Sequence, residues 1–255
     1  MNWWCYDLTK LICWLFFRLG FGLEVSGQEH VPTQGPFILA SNHYSFLDPP
    51  LVGDACPRRV YFMARDSLFV RPILGAFLRA VRVTPLRRGE ADAAAIRMSL
   101  QQLRHGEVIA IFPEGTRQLS GKLGTAKRGV GFLAEAADVP VVPALVQGTF
   151  EALPPHAKRL YRAKIRVAFG RPISYTKTSF SSSNSPGVEA ANRGADLRER
   201  AEERGESTHA KRGRKPAPRR QQQALADAIT EEWRRLENRL SLSPHPSHRQ
   251  PNALV

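Results

Sequence analysis

The sequence predicts an α/β fold: a largely parallel sheet flanked by helices on both faces, preceded by a separate N-terminal helix suited to a membrane interface. Three features predict it. Short β-rich runs alternate with helical stretches from Gly22 to about Ser174. Most of those runs are continuously apolar, so both faces of the sheet must be covered. Between them lies chain of helix length, as strand–helix–strand connections in a parallel sheet require.

In chain order, residues 1–22 come first and are the most apolar part. LICWLFF lies between Lys10 and Arg18, with Trp3, Trp4 and Tyr6 ahead of it. A bilayer-spanning helix needs about 20 apolar residues in a row, and Asp7, Lys10 and Arg18 interrupt this one. At helical spacing the three charges share roughly one quadrant of the wheel, opposite Trp, Leu, Ile and Phe. That pattern predicts a helix lying in a membrane interface, charged stripe towards water and aromatic face towards lipid. Burial as a core helix is the alternative. No small-x-small cleavage site follows, so a signal peptide is not expected.

Residues 23–176 form the predicted sheet domain. Strands are expected over Leu23–Gly27, Phe37–Ser41, Val60–Ala64, Val81–Pro85, Val108–Phe112, Val141–Gln147 and Ile165–Phe169. Helices are expected over Pro49–Gly53, Pro72–Arg79, Ala91–Arg104 and Arg128–Ala137. In such folds the ligand site lies at the carboxyl ends of the strands. From residue 177 to 220 hardly an apolar residue occurs, which predicts a disordered basic linker. Apolar spacing returns at Leu225, Ala228, Ile229, Trp233, Leu236 and Leu240, a helix over residues 221–240 expected to dock back on the domain. Residues 241–255 read as a disordered tail.

Composition narrows the function. Lys and Arg number 37 against 23 Asp and Glu, a formal net charge of +14, so an anionic partner is expected: nucleic acid, phospholipid or a phosphorylated substrate. The three cysteines, Cys5, Cys13 and Cys56, are too few and scattered for a disulfide framework or a zinc or iron–sulfur site. No metal site is expected; Gly129 and Gly131 lack the rest of a dinucleotide fingerprint, and His245 and His248 lie in the tail.

Four segments carry chemistry. Asn42-His43-Tyr44-Ser45-Phe46-Leu47-Asp48 follows the strand ending at Ser41 and opens a helix. Across a turn of this length Asp48 can curl back to hold one nitrogen of His43, leaving the other to accept a proton. The structural alternative makes Asp48 a helix N-cap and His43 a turn histidine. No G-x-S-x-G elbow is present, so the nucleophile must come from the substrate. The second segment, Phe112-Pro113-Glu114-Gly115-Thr116-Arg117, also follows a strand, and its Pro and Gly force a tight loop that presents Glu114 and Arg117. Arginine there suits a phosphate or carboxylate; a structural salt bridge is the alternative. The third is Arg87-Arg88-Gly89, after the strand ending at Pro85. The fourth is Val139-Pro140-Val141-Val142-Pro143, a proline-bracketed entry to a buried strand.

All four, in this order, resemble the glycerolipid acyltransferase family, typified by 1-acyl-glycerol-3-phosphate (lysophosphatidate) acyltransferases. The family's NHxxxxD block matches Asn42–Asp48, and its FPEGTRS block matches Phe112–Arg117 with Gln118 in place of Ser. Arg88 occupies the family's Arg place and Arg87 its usual acidic one; Pro143 closes the proline-bracketed strand. The resemblance implies the family's α/β fold and an acyl transfer to a lysophospholipid acceptor, from acyl-CoA or acyl carrier protein, without a cofactor. His43 and Asp48 would then be catalytic. Arg88, Glu114, Gly115, Thr116 and Arg117 would bind substrate, with Asn42, Arg87 and Pro143 in support. It further implies a peripheral protein on the cytoplasmic face of a membrane. Other lysolipids or amino-acid lipids would use the same chemistry. Lys211–Pro216 resembles a DNA-binding hook with its core broken by Lys215, and a nucleic-acid partner is not expected.

Overall fold

The structure, a computed structural model, describes residues 4–86, 91–175 and 219–242. Of the expected linker (177–220) and tail (241–255), residues 177–218 and 243–255 lie outside the described residues; Arg219, Arg220, Ser241 and Leu242 instead extend the last helix at its two ends.

The hub of the fold is β2 (Phe37–Ser41), buried along its whole length. It pairs in parallel with β6 (Val108–Ile111) on one side and β7 (Val141–Gln147) on the other. Beyond β6 lies β3 (Val60–Tyr61); beyond β7 lie β8 (Arg166–Phe169) and the edge strand β1 (Glu24–Ser26), giving the order β1-β8-β7-β2-β6-β3. Among the described strands only β7 and β8 pair antiparallel, so the sheet is largely parallel, as expected.

Its continuous apolar strands follow from two covered faces. Phe37 and Leu39 point to one core with Phe17 and Phe21 of α1 (Trp4–Phe21) and Leu51 and Val52 of α2 (Asp48–Ala55). Ile38 and Ala40 point to the other. That second core is built from α4 (Ala91–Arg104), α5 (Gly129–Ala137) and α7 (Arg219–Leu242), through Leu103, Val130, Leu133, Leu225, Ile229 and Trp233. The α5–α7 crossing is close enough that a Cβ on Gly131 would stand 2.2 Å from the Gln222 carbonyl oxygen. Trp233, fully buried, donates its indole N–H to Ala40 O at 3.2 Å.

Two expectations need correction. The run Val60–Ala64 divides into β3 and β4 (Met63–Arg65), and β4 pairs with β5 (Thr84–Leu86) in a separate two-stranded parallel sheet. The strand expected over Val81–Pro85 therefore starts late and does not join the main sheet. The cause is local: residues 81–83 finish α3 (Pro72–Ala80), with Val83 N bonded to Leu78 O and Arg82 in the left-handed region at φ 61°. A four-residue helix, α6 (Thr149–Ala152), follows β7 and was not expected.

The second correction concerns α1. Asp7 and Arg18 of its charged stripe are exposed and Lys10 is half-buried, yet all three are tied to the domain beside the helix. Asp7 pairs with Arg59, Lys10 donates to Cys56 O at the carboxyl end of α2, and Arg18 donates to Leu23 O. A cation beside the unpaired carbonyls of a helix end is favourable. Tyr6, Phe17 and Phe21 are buried beside these charges, while Trp4, Leu8, Leu11, Ile12, Leu15 and Leu19 are exposed. No described helix is long and apolar enough to cross a membrane.

Candidate active site

Ala40 of β2 stands level with Ile111 of β6. The chain segments leaving those two carboxyl ends therefore emerge side by side, where open α/β sheets place their ligands. The first is anchored by Asn42. Its side-chain amide donates to Val146 O (2.9 Å) and accepts from Val146 N (2.7 Å), so it replaces one more rung between β2 and β7 while the main chain turns away. Asn42 is wholly buried.

The turn from His43 to Asp48 is wrapped around one carboxylate oxygen. Asp48 Oδ2 accepts from His43 Nδ1 at 2.9 Å, from Tyr44 N at 2.6 Å and from Ser45 N at 2.7 Å. Asp48 opens α2 but makes no forward cap; it reaches back, and its side chain is completely buried. Of the two sequence readings for this aspartate, the geometry matches the one in which it holds the imidazole. A carboxylate only accepts, so Nδ1 carries the proton and Nε2 keeps a lone pair. The imidazole also stacks on Phe112, centroid to centroid 4.2 Å, and keeps 18% of its side-chain surface open. One edge is held, one face is covered and the remaining nitrogen can take a proton from a bound hydroxyl.

Glu114 joins the two segments. One oxygen accepts from His43 N and the other from Gly124 N, both at 3.1 Å. The group is almost fully buried, and desolvation raises its pKa against the lowering effect of these bonds and of Gln118. Gln118 in turn donates its backbone N–H to His43 O at 2.8 Å. Glu114 thus fixes the backbone that carries His43.

Arg117 lies with Cζ 3.7 Å above the Phe46 ring, a cation–π contact between the two segments. Its Nη1 is buried and has no hydrogen-bond partner among the described residues. A buried guanidinium N–H without a partner can receive an anionic oxygen. Gly115, at φ 76°, makes the turn possible, and a Cβ there would stand 2.8 Å from Lys127 Nζ. Lys127 is tied to the loop by its own N–H on Pro113 O. Thr116 is exposed.

Arg87 and Arg88 lie outside the described residues, and β5, which leads to them, belongs to the small sheet. Pro143 is internal to β7, level with Ala40, and its carbonyl accepts from Gly170 N at 2.8 Å. Sequence reasoning singled out none of Phe112 as a stacking partner, Phe46 as the support of Arg117, or Lys127 beside Gly115. Phe46 and Phe112 sit inside the two motifs, which was the available signal; Lys127 had none.

A family model described as acyltransferase matches residues 22–147. The chain is 29% identical over 171 residues to the 1-acyl-sn-glycerol-3-phosphate acyltransferase of Bacillus subtilis, covering 66% of this chain and 80% of that protein. It is 30% identical over 161 residues to a chloroplastic 1-acyl-sn-glycerol-3-phosphate acyltransferase of Arabidopsis thaliana, covering 62% of this chain and 45% of that one. The chain thus spans most of the bacterial relative and about half of the plant one. Its fold matches the crystal structure of the 1-acyl-sn-glycerophosphate acyltransferase PlsC from Thermotoga maritima, with a TM-score of 0.58, 26% identity and 69% and 70% of the two chains covered.

Proposed function

Because the chain belongs to the acyltransferase family, we propose that it transfers a fatty acyl group from an acyl thioester to the free hydroxyl of 1-acyl-glycerol-3-phosphate, giving phosphatidic acid. The observation that carries the reading is the His43–Asp48 pair, 2.9 Å apart and open on one side. His43 Nε2 removes the hydroxyl proton as the acceptor oxygen attacks the thioester carbonyl. The oxyanion formed collapses, the C–S bond breaks, and the departing thiolate takes the proton back from His43. A positioned general base supplies about 10²–10⁴ in rate. The step needs no metal or bound cofactor, because the thioester is already activated.

The acceptor's phosphate is assigned to Arg117 on the strength of its unpartnered Nη1, with Arg88 as a second candidate. Anchoring the phosphate turns remote binding energy into alignment of the attacking hydroxyl. The names of the relatives support a lysophosphatidate acceptor. Acyl-CoA and acyl carrier protein present the same thioester, and both stand as donors. The exposed apolar side of α1 supports a peripheral place on a membrane, where a lipid acceptor is met at the interface; the cytoplasmic face is part of the proposal.

A panel of phosphorylated and uncharged lysolipids, each assayed with acyl-CoA and with acyl carrier protein, tests the assignment. The wild type is expected to favour 1-acyl-glycerol-3-phosphate. Arg117→Ala is expected to raise KM for phosphorylated acceptors by about 10- to 100-fold, the loss of a charge-assisted hydrogen bond, and to leave uncharged ones little changed. Equal losses on both classes would contradict the phosphate role.

A further inference from the structure

Among the described residues outside α1, exposed large apolar side chains cluster on and beside α3. Ile73 is 87% exposed, and Val70, just before the helix, is 82% exposed. Ile73, Ala76, Phe77 and Ala80 stand at i, i+3, i+4 and i+7, one continuous face, and all four are exposed. The helix docks by its opposite side: Leu74 and Leu78 are half-buried, and Gly75 lies so close to Phe69 that a Cβ would be 2.3 Å from the Phe69 carbonyl oxygen. A helix that turns its glycine inward and its Ile and Phe outward is built for something outside the domain. Single exposed apolar residues are ordinary; a contiguous face is not.

Charge identifies the partner. From residue 65 to 88 the sequence holds six arginines and one acid, Asp66. Arg71 and Arg79, at the two ends of α3, are both exposed, and α3 itself carries no acid. An apolar face with an exposed arginine at each end and no acid on its helix matches a bilayer with anionic headgroups: hydrocarbon accepts Val70, Ile73 and Phe77, and lipid phosphates accept the guanidinium groups. A second protein surface would need acidic groups set around an apolar hollow, and a second copy of this chain would set like charges against each other.

We propose that the outward face of α3 is a lipid-docking surface in addition to α1, seating Val70, Ile73 and Phe77 in the headgroup boundary of an anionic bilayer while Arg71 and Arg79 meet its phosphates. The inference does not rest on the acyl-transfer reading, since vesicle binding requires no turnover.

The test uses the full chain with α1 intact. Partition is measured on vesicles of phosphatidylcholine alone and of phosphatidylcholine mixed with phosphatidylglycerol. The Ile73→Asn/Phe77→Asn pair is expected to weaken binding about ten-fold or more on both vesicles. Arg71→Gln/Arg79→Gln is expected to weaken it on the order of ten-fold on the anionic vesicles only. All four side chains are exposed, so circular dichroism and Tm should stay those of the wild type. Hydrogen exchange on the unmodified chain gives a second readout: amides of residues 70–80 are expected to slow when anionic vesicles are added. Unchanged partition for both double variants overturns the proposal, and so does exchange in 70–80 that vesicles leave unaltered. A wild-type dimer that Ile73→Asn/Phe77→Asn dissociates, with vesicle binding intact, would assign the face to a second copy and overturn it as well.

Discussion

Asp48 shows how much one buried side chain can organise. Three donors converge on its Oδ2, and burial forbids water from replacing any of them. Asp48→Asn keeps the volume but weakens the acceptor at that point. It is expected to cost about 1–3 kcal/mol of stability, the usual penalty for leaving buried donors poorly satisfied, and to lower kcat by far more than that loss of stability alone would. Thermal unfolding measured beside steady-state kinetics separates the two effects. At this scale the sequence was informative where chemistry depends on local spacing: His43 and Asp48 are five residues apart, and a turn brings them together. Glu114 was less legible. Its motif marked it as functional, yet one oxygen serves the backbone of His43, brought to it by the pairing of β2 and β6, and the other that of Gly124, further along its own loop. The support of Arg117 by Phe46 is likewise a meeting of two loops.

Helices act here as buttresses for the strand that delivers the site. Trp233 of α7 fills the core beneath β2 and bonds Ala40, three residues before His43. Trp233→Ala is expected to cost about 3–5 kcal/mol, visible as a large fall in Tm and in the denaturant midpoint. The α1–α2 seam supplies a pH effect. Burial raises Asp54 from 3.8 to about 6, with Lys10 opposing, and its Oδ1 has no hydrogen-bond partner among the described residues. Since the folded pKa lies above the unfolded one, the native state holds the proton longer, and stability falls as pH rises from about 4 through about 6. Asp54→Asn is expected to raise Tm at pH 8 and to lose that advantage near pH 4; an equal effect at both would refute the linkage. Apolar runs revealed β2, β6, β7 and α7 because each has a long buried stripe. The late start of β5 was hidden, since Arg82 takes a left-handed backbone that its residue type does not announce.

For the molecule as a whole, a net charge of +14 and two exposed apolar helix faces are the observations on which the proposed lipid contacts rest. Deleting α1 would be a poor test, because Phe17 and Phe21 belong to the core and their loss would uncover the sheet. Leu8→Ser/Leu11→Ser/Leu19→Ser changes only exposed positions. This variant is expected to move the protein from the membrane to the soluble fraction with Tm unaltered; an unchanged membrane fraction would refute the interfacial role of α1. That α1 would be apolar was plain from its composition. Which side would face the domain was not, because its three charges find partners at Arg59, at Cys56 just past α2 and at Leu23 just before β1, which only the assembled fold supplies. The scales meet in the proposed reaction, in which His43 deprotonates a lipid hydroxyl where β2 ends. Single-turnover acyl transfer by His43→Ala, with acceptor Kd measured alongside, tests this most directly. Transfer slowed by about 10²–10⁴ with Kd unchanged is the expected result; a rate within ten-fold of the wild type, or a loss accounted for by weaker binding, would contradict it.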